Sequence, residues 1–350
     1  MGVTDEPFPN DVLIPQTWVQ CSSCGCAQLL NLLPPYLLYS NSHFPGTVGN
    51  TWSVHHEEFS DYVVKWGGTS IVEVGAGTGA LASLVLGKKD IDSYYIIDRN
   101  IRNLPNVRNI GAVNDFFAPD TTLALGDIDT FVHSHTMEHF YDVKDTLANM
   151  FNHLEDGGRM IISIPLTLEG LASGYHNALN FEHTYTTTIQ NIEMVLGLAG
   201  FAILDITYFN NVNVFICAQK SDEHDVVIQN ESVDTAVSFG VYAGLLDKNY
   251  SHITSVLKTS PHKPTFIVGA HLFSQIPLLE HPAIRPYITA ILDNDPTKQG
   301  KRLCGIEGIT VCSPEILRGI RNPRVIVDAA QYTDEIVAGL LKINPLTEIL

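Results

Sequence analysis

The chain has little positive charge. Its 20 Lys and Arg stand against 38 Asp and Glu, a formal net charge of −18. A protein that grips a nucleic-acid backbone needs a basic face to displace counterions, so DNA and RNA are not expected partners. A small anionic ligand, which needs only a local cluster of donors, stays open. No apolar run reaches the roughly 18 residues that a membrane-spanning helix requires, so no membrane partner is expected. The N-terminus shows neither the basic region nor the apolar core of a secretory signal. Cysteine is scarce, at six residues. Cys21, Cys24 and Cys26 sit together, while Cys217, Cys304 and Cys312 are scattered. That is no disulfide framework, and the expected location is a reducing cytoplasm. Tandem short repeats and low-complexity segments are absent as well. A length of 350 residues leaves room for two or three domains and a sizeable core.

Against this background one stretch stands out, Ile71-Val72-Glu73-Val74-Gly75-Ala76-Gly77-Thr78-Gly79-Ala80-Leu81. An apolar run supplies a buried strand, a glycine turn follows, and a helix begins. Gly75, Gly77 and Gly79 let a ligand approach the backbone closely, and the amides opening the helix face it. The spacing G-x-G-x-G, with an acid two residues upstream, resembles motif I of class I S-adenosylmethionine-dependent methyltransferases. It is not the G-x-G-x-x-G of dehydrogenases, because Ala80 and Leu81 follow Gly79.

Strand and helix patterns alternate from about Val63 to Lys220, as an α/β sheet requires. Tyr94–Asp98 reads as a second strand ending in an acid, and Thr130–Ser134 as a further one. Asp142–Leu154 has helical spacing, with Val143, Leu147, Met150 and Phe151 on one face and Gly157-Gly158 as its break. Met160–Ile164 is another strand. Ile189–Leu198 reads as a helix stopped by Gly200, and Phe201–Tyr208 and Val212–Ala218 as a hairpin turning at Asn210-Asn211. Such a hairpin closes the otherwise parallel sheet of class I methyltransferases. Alternation restarts at Thr265–Val268, Ile288–Leu292 and Val325–Asp328, with a helix over Thr333–Ile343. The expected fold class is α/β: a Rossmann-like methyltransferase sheet with a terminal antiparallel hairpin, plus a second, smaller Rossmann-like unit. The expected domains are an irregular N-terminal cap at 1–60, the methyltransferase domain at 61–220, a helical connector at 221–264 and the C-terminal unit at 265–350.

The cofactor residues expected from the turn are Glu73, Gly75, Ala76, Gly77, Gly79 and Asp98, joined by Asn114 and Asp115 where the next strand should end. A carboxylate at Asp98 can accept both ribose hydroxyls of the cofactor. Glu73 would lie near its amino group or a bridging water. A plainer reading, in which Glu73 and Asp98 only cap strand ends, stays open.

Further segments extend the resemblance. Cys21-x-x-Cys24-Gly25-x-Ala27-Gln28-Leu29 is similar to the C-x-x-C-G-x-x-Q-L segment of the sugar C-methyltransferases of deoxysugar biosynthesis. Ser134-His135-Thr136-Met137-Glu138-His139 resembles that family's segment after the fourth strand. Asn180-Phe181-Glu182-His183-Thr184-Tyr185 resembles its Y-H-E-H-x-x-Y, and Asp293-Asn294-Asp295-Pro296-Thr297-Lys298-Gln299-Gly300 its D-x-N-P-x-K-Q-G. The segments run in order along nearly the whole chain. Two departures stand out. The family's zinc-binding segment has two Cys-x-x-Cys pairs and only the second is here, so zinc is not expected. Cys21, Cys24 and Cys26 with a histidine such as His43 are the alternative ligand set. The family's tyrosines are replaced by Phe44-Pro45-Gly46 and by Asn180.

The resemblance implies S-adenosylmethionine as cofactor and C-methylation of a nucleotide-linked 4-keto deoxysugar, a small-molecule partner. A base removes the proton α to the carbonyl, and a donor steadies the enolate. It assigns His183 as base, Glu182 as the group that orients it or binds a sugar hydroxyl, and His139 as the oxyanion donor. No catalytic metal is expected, although His133, His135 and His139 with Glu138 can be read as a metal cluster. Gly269 and Asp293 repeat the logic of a nucleotide pocket in the C-terminal unit, which either recognises the substrate's nucleotide or serves as a scaffold. O- or N-methylation of a sugar or other small polar molecule, and a non-catalytic cofactor-binding scaffold, are the alternatives. The oligomeric state is not set by the sequence.

Overall fold

A computed structural model describes residues 2–8, 10–39, 50–101, 109–221 and 235–350. His43 and the Phe44-Pro45-Gly46 segment lie outside the described residues. The chain forms two compact units.

The first unit comprises Gln16–Glu169 and Phe181–Thr235. Its seven-stranded sheet has the order Ile110–Val113, Ser93–Ile97, Ser70–Val74, Ile128–Ser134, Leu154–Pro165, Asn213–Lys220, Phe201–Asn210. The first five strands are parallel to one another. Asn213–Lys220 is antiparallel to both of its own neighbours. This is the class I Rossmann-like sheet with its closing hairpin. Side chains alternate across it. Val72 and Val74 face one core with Phe131, Leu147, Met150, Ile162 and Leu196. Ile71 faces the other with Phe59, Val63, Leu81, Val85, Val132 and Phe215. Each such side chain contributes roughly 1.5–3 kcal/mol on burial, so the two cores fix the strand register.

Several local expectations are corrected. Residues 1–60 are not irregular throughout: a helix spans Asn50–Trp66 and a short antiparallel pair joins Trp18–Gln20 to Ala27–Leu29. The helix buries Phe59, Tyr62 and Val63 at i, i+3 and i+4. Its polar first half, Asn50–Glu58, hid this pattern from a reading based on apolar spacing. The helix Val143–His153 starts at Asp142, whose carboxylate accepts the Asp145 N–H. It ends before Gly157-Gly158, which lie inside the strand Leu154–Pro165. The hairpin turns at Asn211-Val212, one residue later than expected, because the Asn210 side-chain oxygen accepts the Val212 N–H at 2.9 Å.

The second unit comprises Met1–Pro15, Gly170–Asn180 and Ala236–Leu350. Its five-stranded sheet is parallel, in the order Val311–Cys312, Ile288–Leu292, Thr265–Val268, Arg324–Ile326, Glu348–Ile349. Val3–Thr4 pairs with Arg302–Leu303. Arg302 grips Asp11 with two N–H donors at 2.6 and 2.9 Å, which holds that carboxylate down at about 2. Among the described residues, no helix of either unit is long and apolar enough to cross a membrane.

Candidate active site

The glycine turn begins where the strand Ser70–Val74 ends. Gly75, Gly77 and Gly79 have φ of +78°, +55° and +70°, and the helix Ala80–Lys88 follows at once. Two of these positions have opposite reasons to lack a side chain. A Cβ on Gly75 would come within 2.3 Å of the Thr136 hydroxyl, so the backbone there is pressed against the segment after the fourth strand. Among the described residues a Cβ on Gly77 would meet nothing within 4 Å, so they leave space open above that residue. The turn is tied to the next strand end. The Gly77 N–H donates to one Asp98 carboxylate oxygen at 2.9 Å, and the Asn100 N–H donates to the other at 2.6 Å. Each oxygen keeps lone-pair capacity for a further donor.

The remaining sequence-expected cofactor residues divide into two groups. Asn114 lies beside Asp98, and with its amide turned so that the nitrogen faces the backbone it donates to the Asp98 carbonyl at 3.2 Å. Ala76 packs half-buried against the core. Asp115 is exposed and caps its own Phe116 N–H. Glu73 is only 3% exposed and accepts the Tyr94 hydroxyl at 2.7 Å. Burial pushes its carboxyl up to about 7, opposed by the Tyr94 hydrogen bond and reinforced by the charge of Asp98.

Thr136 leads from the turn to a cluster of histidines and carboxylates. Its hydroxyl donates to the Val74 and Ser134 carbonyls. His135 sits just past the strand end with φ of +50°, an uncommon conformation outside glycine. The single turn Met137–His139 then presents Glu138 and His139. Glu182 and His183 arrive from a distant loop. That loop is held by the Ala27–Leu29 strand: Leu29 N–H donates to the Thr184 carbonyl at 2.9 Å, and Thr186 N–H to the Ala27 carbonyl at 2.7 Å. The Cys21–Cys26 turn that precedes it closes with a Cys21 N–H to Cys26 carbonyl bond of 2.8 Å. The segment similar to the family's zinc-binding region therefore props the loop that carries His183.

The three expected catalytic residues converge. His139 Nδ1 lies 3.2 Å from the Glu182 carbonyl and 3.7 Å from its carboxylate. The rings of His139 and His183 are 5.2 Å apart, centre to centre. Glu138 stands beside them, and burial pushes its carboxyl up to about 8. Of the alternative metal cluster, His133 stays apart: its ring is fully buried, edge-on to Phe140, and burial drives it down to about 3.

Sequence reasoning missed three contributors. Tyr39 hydrogen-bonds the Glu182 side chain. It sits at the end of an apolar patch with no spacing that marks it. His55, on the helix Asn50–Trp66, contacts Ser163 Oγ at 2.7 Å, and its ring packs 5.2 Å from that of His135. Trp52, one turn earlier, lies 4.9 Å from the same His135 ring. Reading those residues as helix would have put Trp52 and His55 on one face.

A seven-stranded sheet closed by a hairpin, with an open glycine turn beside a titratable cluster, defines a group-transfer enzyme of the class I methyltransferase fold. Residues 24–206, just over half of the chain, match the family described as methyltransferase domain. The chain belongs to that family and is an S-adenosylmethionine-dependent methyltransferase. Similar solved structures include a putative S-adenosylmethionine-dependent methyltransferase from Listeria monocytogenes, 12% identical, covering 48% of this chain and 100% of that one, with a TM-score of 0.39. A methyltransferase from Mesorhizobium loti is also 12% identical, covering 49% and 98%, with a TM-score of 0.40. Human N-acetylserotonin methyltransferase is 18% identical, covering 49% and 52%, with a TM-score of 0.38. No curated protein sequence matches the chain.

In the second unit, the Asp293 carboxylate is already engaged, by the Ala270 N–H at 2.8 Å and by Lys298 at 3.1 Å. His176 bridges Tyr242 at 2.8 Å and Asp328 at 3.1 Å.

Proposed function

We propose that this enzyme methylates a carbon atom of a nucleotide-linked 4-keto deoxysugar, with His183 as the base. The observation that carries the reading is the convergence of His139, Glu182 and His183 beside Thr136, which packs on Gly75 at the end of the neighbouring strand. A proton-handling cluster next to the methyl donor's turn is what carbon methylation needs, because the acceptor must lose a C–H proton before it attacks.

The residues present fit S-adenosylmethionine. The space that the described residues leave over Gly77 admits the ligand, and the spare lone pairs of Asp98 suit a ribose diol. Gly75, Ala76, Gly77 and Gly79 would hold its methionine part, Asp98 the ribose, and Asn114 and Asp115 the adenine edge. Glu73 acts from beneath the turn, through its buried carboxylate. The bound cofactor supplies an electrophilic methyl group on a sulfonium.

The chain's own residues do the rest. His183 takes the proton α to the acceptor carbonyl, as imidazole suits a base working near neutral pH. Its donor neighbour His139 steadies the enolate oxygen. Glu182, bonded to Tyr39, fixes His139 through its carbonyl and carboxylate, and would orient the base or bind a sugar hydroxyl.

The test is turnover with labelled cofactor on nucleotide-linked 4-keto sugars, scored with loss of one acceptor C–H proton to solvent. Methyl transfer without that loss places the methyl on oxygen or nitrogen and overturns the carbon assignment.

A further inference from the structure

We propose that Glu138, His139 and His183 form a binding site for a divalent transition-metal cation of the Zn²⁺ class, and that a cation held there switches methyl transfer off by occupying the ring of His183. The binding half stands without any assumption about the reaction. The switching half rests on the function proposed above.

One ligand atom from each of the three residues lies within 4.8 Å of the others. Glu138 is 1% exposed, and among the described residues neither of its carboxylate oxygens has a hydrogen-bond partner beyond the approach of its own backbone N–H. A buried carboxylate without a donor is costly, and such groups are ordinarily paired or bound to a metal. The near neighbours of Glu138 do not serve as donors. Its Oε1 is 3.8 Å from His139 Nε2 and 3.6 Å from His135 Nδ1. A charge-assisted N–H to carboxylate bond spans about 2.7–2.9 Å. Two ligands on one tetrahedral ion, each bonded at ~2.1 Å, sit about 3.4 Å apart. The gap between Glu138 and His139 is therefore close to that of two groups sharing a cation.

The other side of His139 agrees. Its Nδ1 faces the Glu182 carbonyl at 3.2 Å and carboxylate at 3.7 Å. With Nδ1 turned to Glu182, the Nε2 that lies 3.8 Å from Glu138 Oε1 is the ligand atom, the arrangement in which a carboxylate or carbonyl orients a metal-bound imidazole. Two imidazoles and one carboxylate select borderline cations such as Zn²⁺ and Co²⁺ over Mg²⁺ and Ca²⁺, which prefer oxygen ligands. A His183 nitrogen bonded to a cation has no lone pair left to accept the acceptor's proton.

The experiment uses the full chain, stripped with a chelator and titrated with Co²⁺ alone, so neither cofactor nor acceptor is needed. The expected result is one Co²⁺ per chain, with the visible bands of a four- or five-coordinate site and no thiolate charge-transfer band. Glu138→Gln is expected to weaken binding by at least about 100-fold, more than the ~10- to 100-fold that loss of a mere outer-shell partner costs. If Glu138→Gln does not fold, His139→Gln takes its place in the titration. A Cys21→Ser/Cys24→Ser variant is expected to bind Co²⁺ as the wild type does. Separately, Zn²⁺ is expected to suppress wild-type methyl transfer reversibly, with EDTA restoring it. In Glu138→Gln the ratio of rates with and without Zn²⁺ should return to one, whatever its basal rate. No Co²⁺ binding, or binding lost only with the two cysteines, overturns the site. Glu138-dependent Co²⁺ binding with methyl transfer indifferent to Zn²⁺ overturns the switch and leaves the site standing.

Discussion

The glycine turn at Gly75–Gly79 and the cluster of His139, Glu182 and His183 lie at the ends of neighbouring strands, Ser70–Val74 and Ile128–Ser134, and are built by different means. The turn is a backbone feature made from five consecutive residues. Its left-handed conformations and close approach to Thr136 need glycine, and the Asp98 carboxylate anchors it through the Gly77 N–H. The cluster is a side-chain feature gathered from separate places in the chain. It draws on Tyr39, His55, Glu138, His139, Glu182 and His183, which come from four separate segments and are placed by the sheet and the Ala27–Leu29 strand. A local motif can bind a common cofactor in many proteins. Convergence of distant side chains is where a particular acceptor is specified.

This contrast predicts that substitutions in the cluster affect chemistry and substitutions in the turn affect binding. The largest effect is expected from His183→Ala, which should lower kcat by about 10²- to 10⁴-fold, the usual worth of a general base. Cofactor affinity by calorimetry should stay at the wild-type value, and a weakened affinity would show that the two regions are not separable. Next is Gly75→Val. It forces side-chain atoms into Thr136 at a φ of +78°. Cofactor affinity should fall by roughly 100-fold, for a loss of about 2–3 kcal/mol from clash and backbone strain. Asp98→Ala is milder. It removes the carboxylate that anchors Gly77 and would pair the ribose, costing about 1.5–3 kcal/mol, or roughly 10- to 100-fold in cofactor Kd.

The smallest expected effect is on stability. The Glu73 carboxyl rises from its ordinary 4.5 to about 7, chiefly through burial. Between those values the folded chain holds a proton that the unfolded chain has released, so stability falls as pH rises through that window and levels off above it. Glu73→Gln should flatten this slope in urea unfolding measured below and above the window. An unchanged slope would show that Glu73 does not titrate in the folded protein.

The difference between the two regions also explains what the sequence disclosed. The turn was readable because its residues are contiguous and glycine is required there for a steric reason. The parallel sheet and its closing hairpin were readable from apolar alternation between Ile71 and Cys217. The helix Asn50–Trp66 was not, because its first half is polar, and with it went Trp52 and His55. His139, Glu182 and His183 were found only by likeness to a family. Nothing in their spacing brings residues 139 and 183 together; hydrogen bonds from the Thr184 N–H to the Glu138 carbonyl at 2.9 Å and from the Thr184 hydroxyl to the Phe140 carbonyl at 2.7 Å do. Glu138 was visible as an acid among histidines, but its lack of a hydrogen-bond partner among the other described residues is a three-dimensional fact.

The central claim is that His183 removes an acceptor C–H proton next to a separately built methyl-donor site. The most direct measurement is exchange of the acceptor's α-proton with deuterated solvent in the presence of S-adenosylhomocysteine, which cannot donate a methyl group. The wild type should exchange one proton α to the carbonyl of a nucleotide-linked 4-keto sugar, and His183→Ala should not. Exchange that persists at the wild-type rate in His183→Ala would contradict the claim.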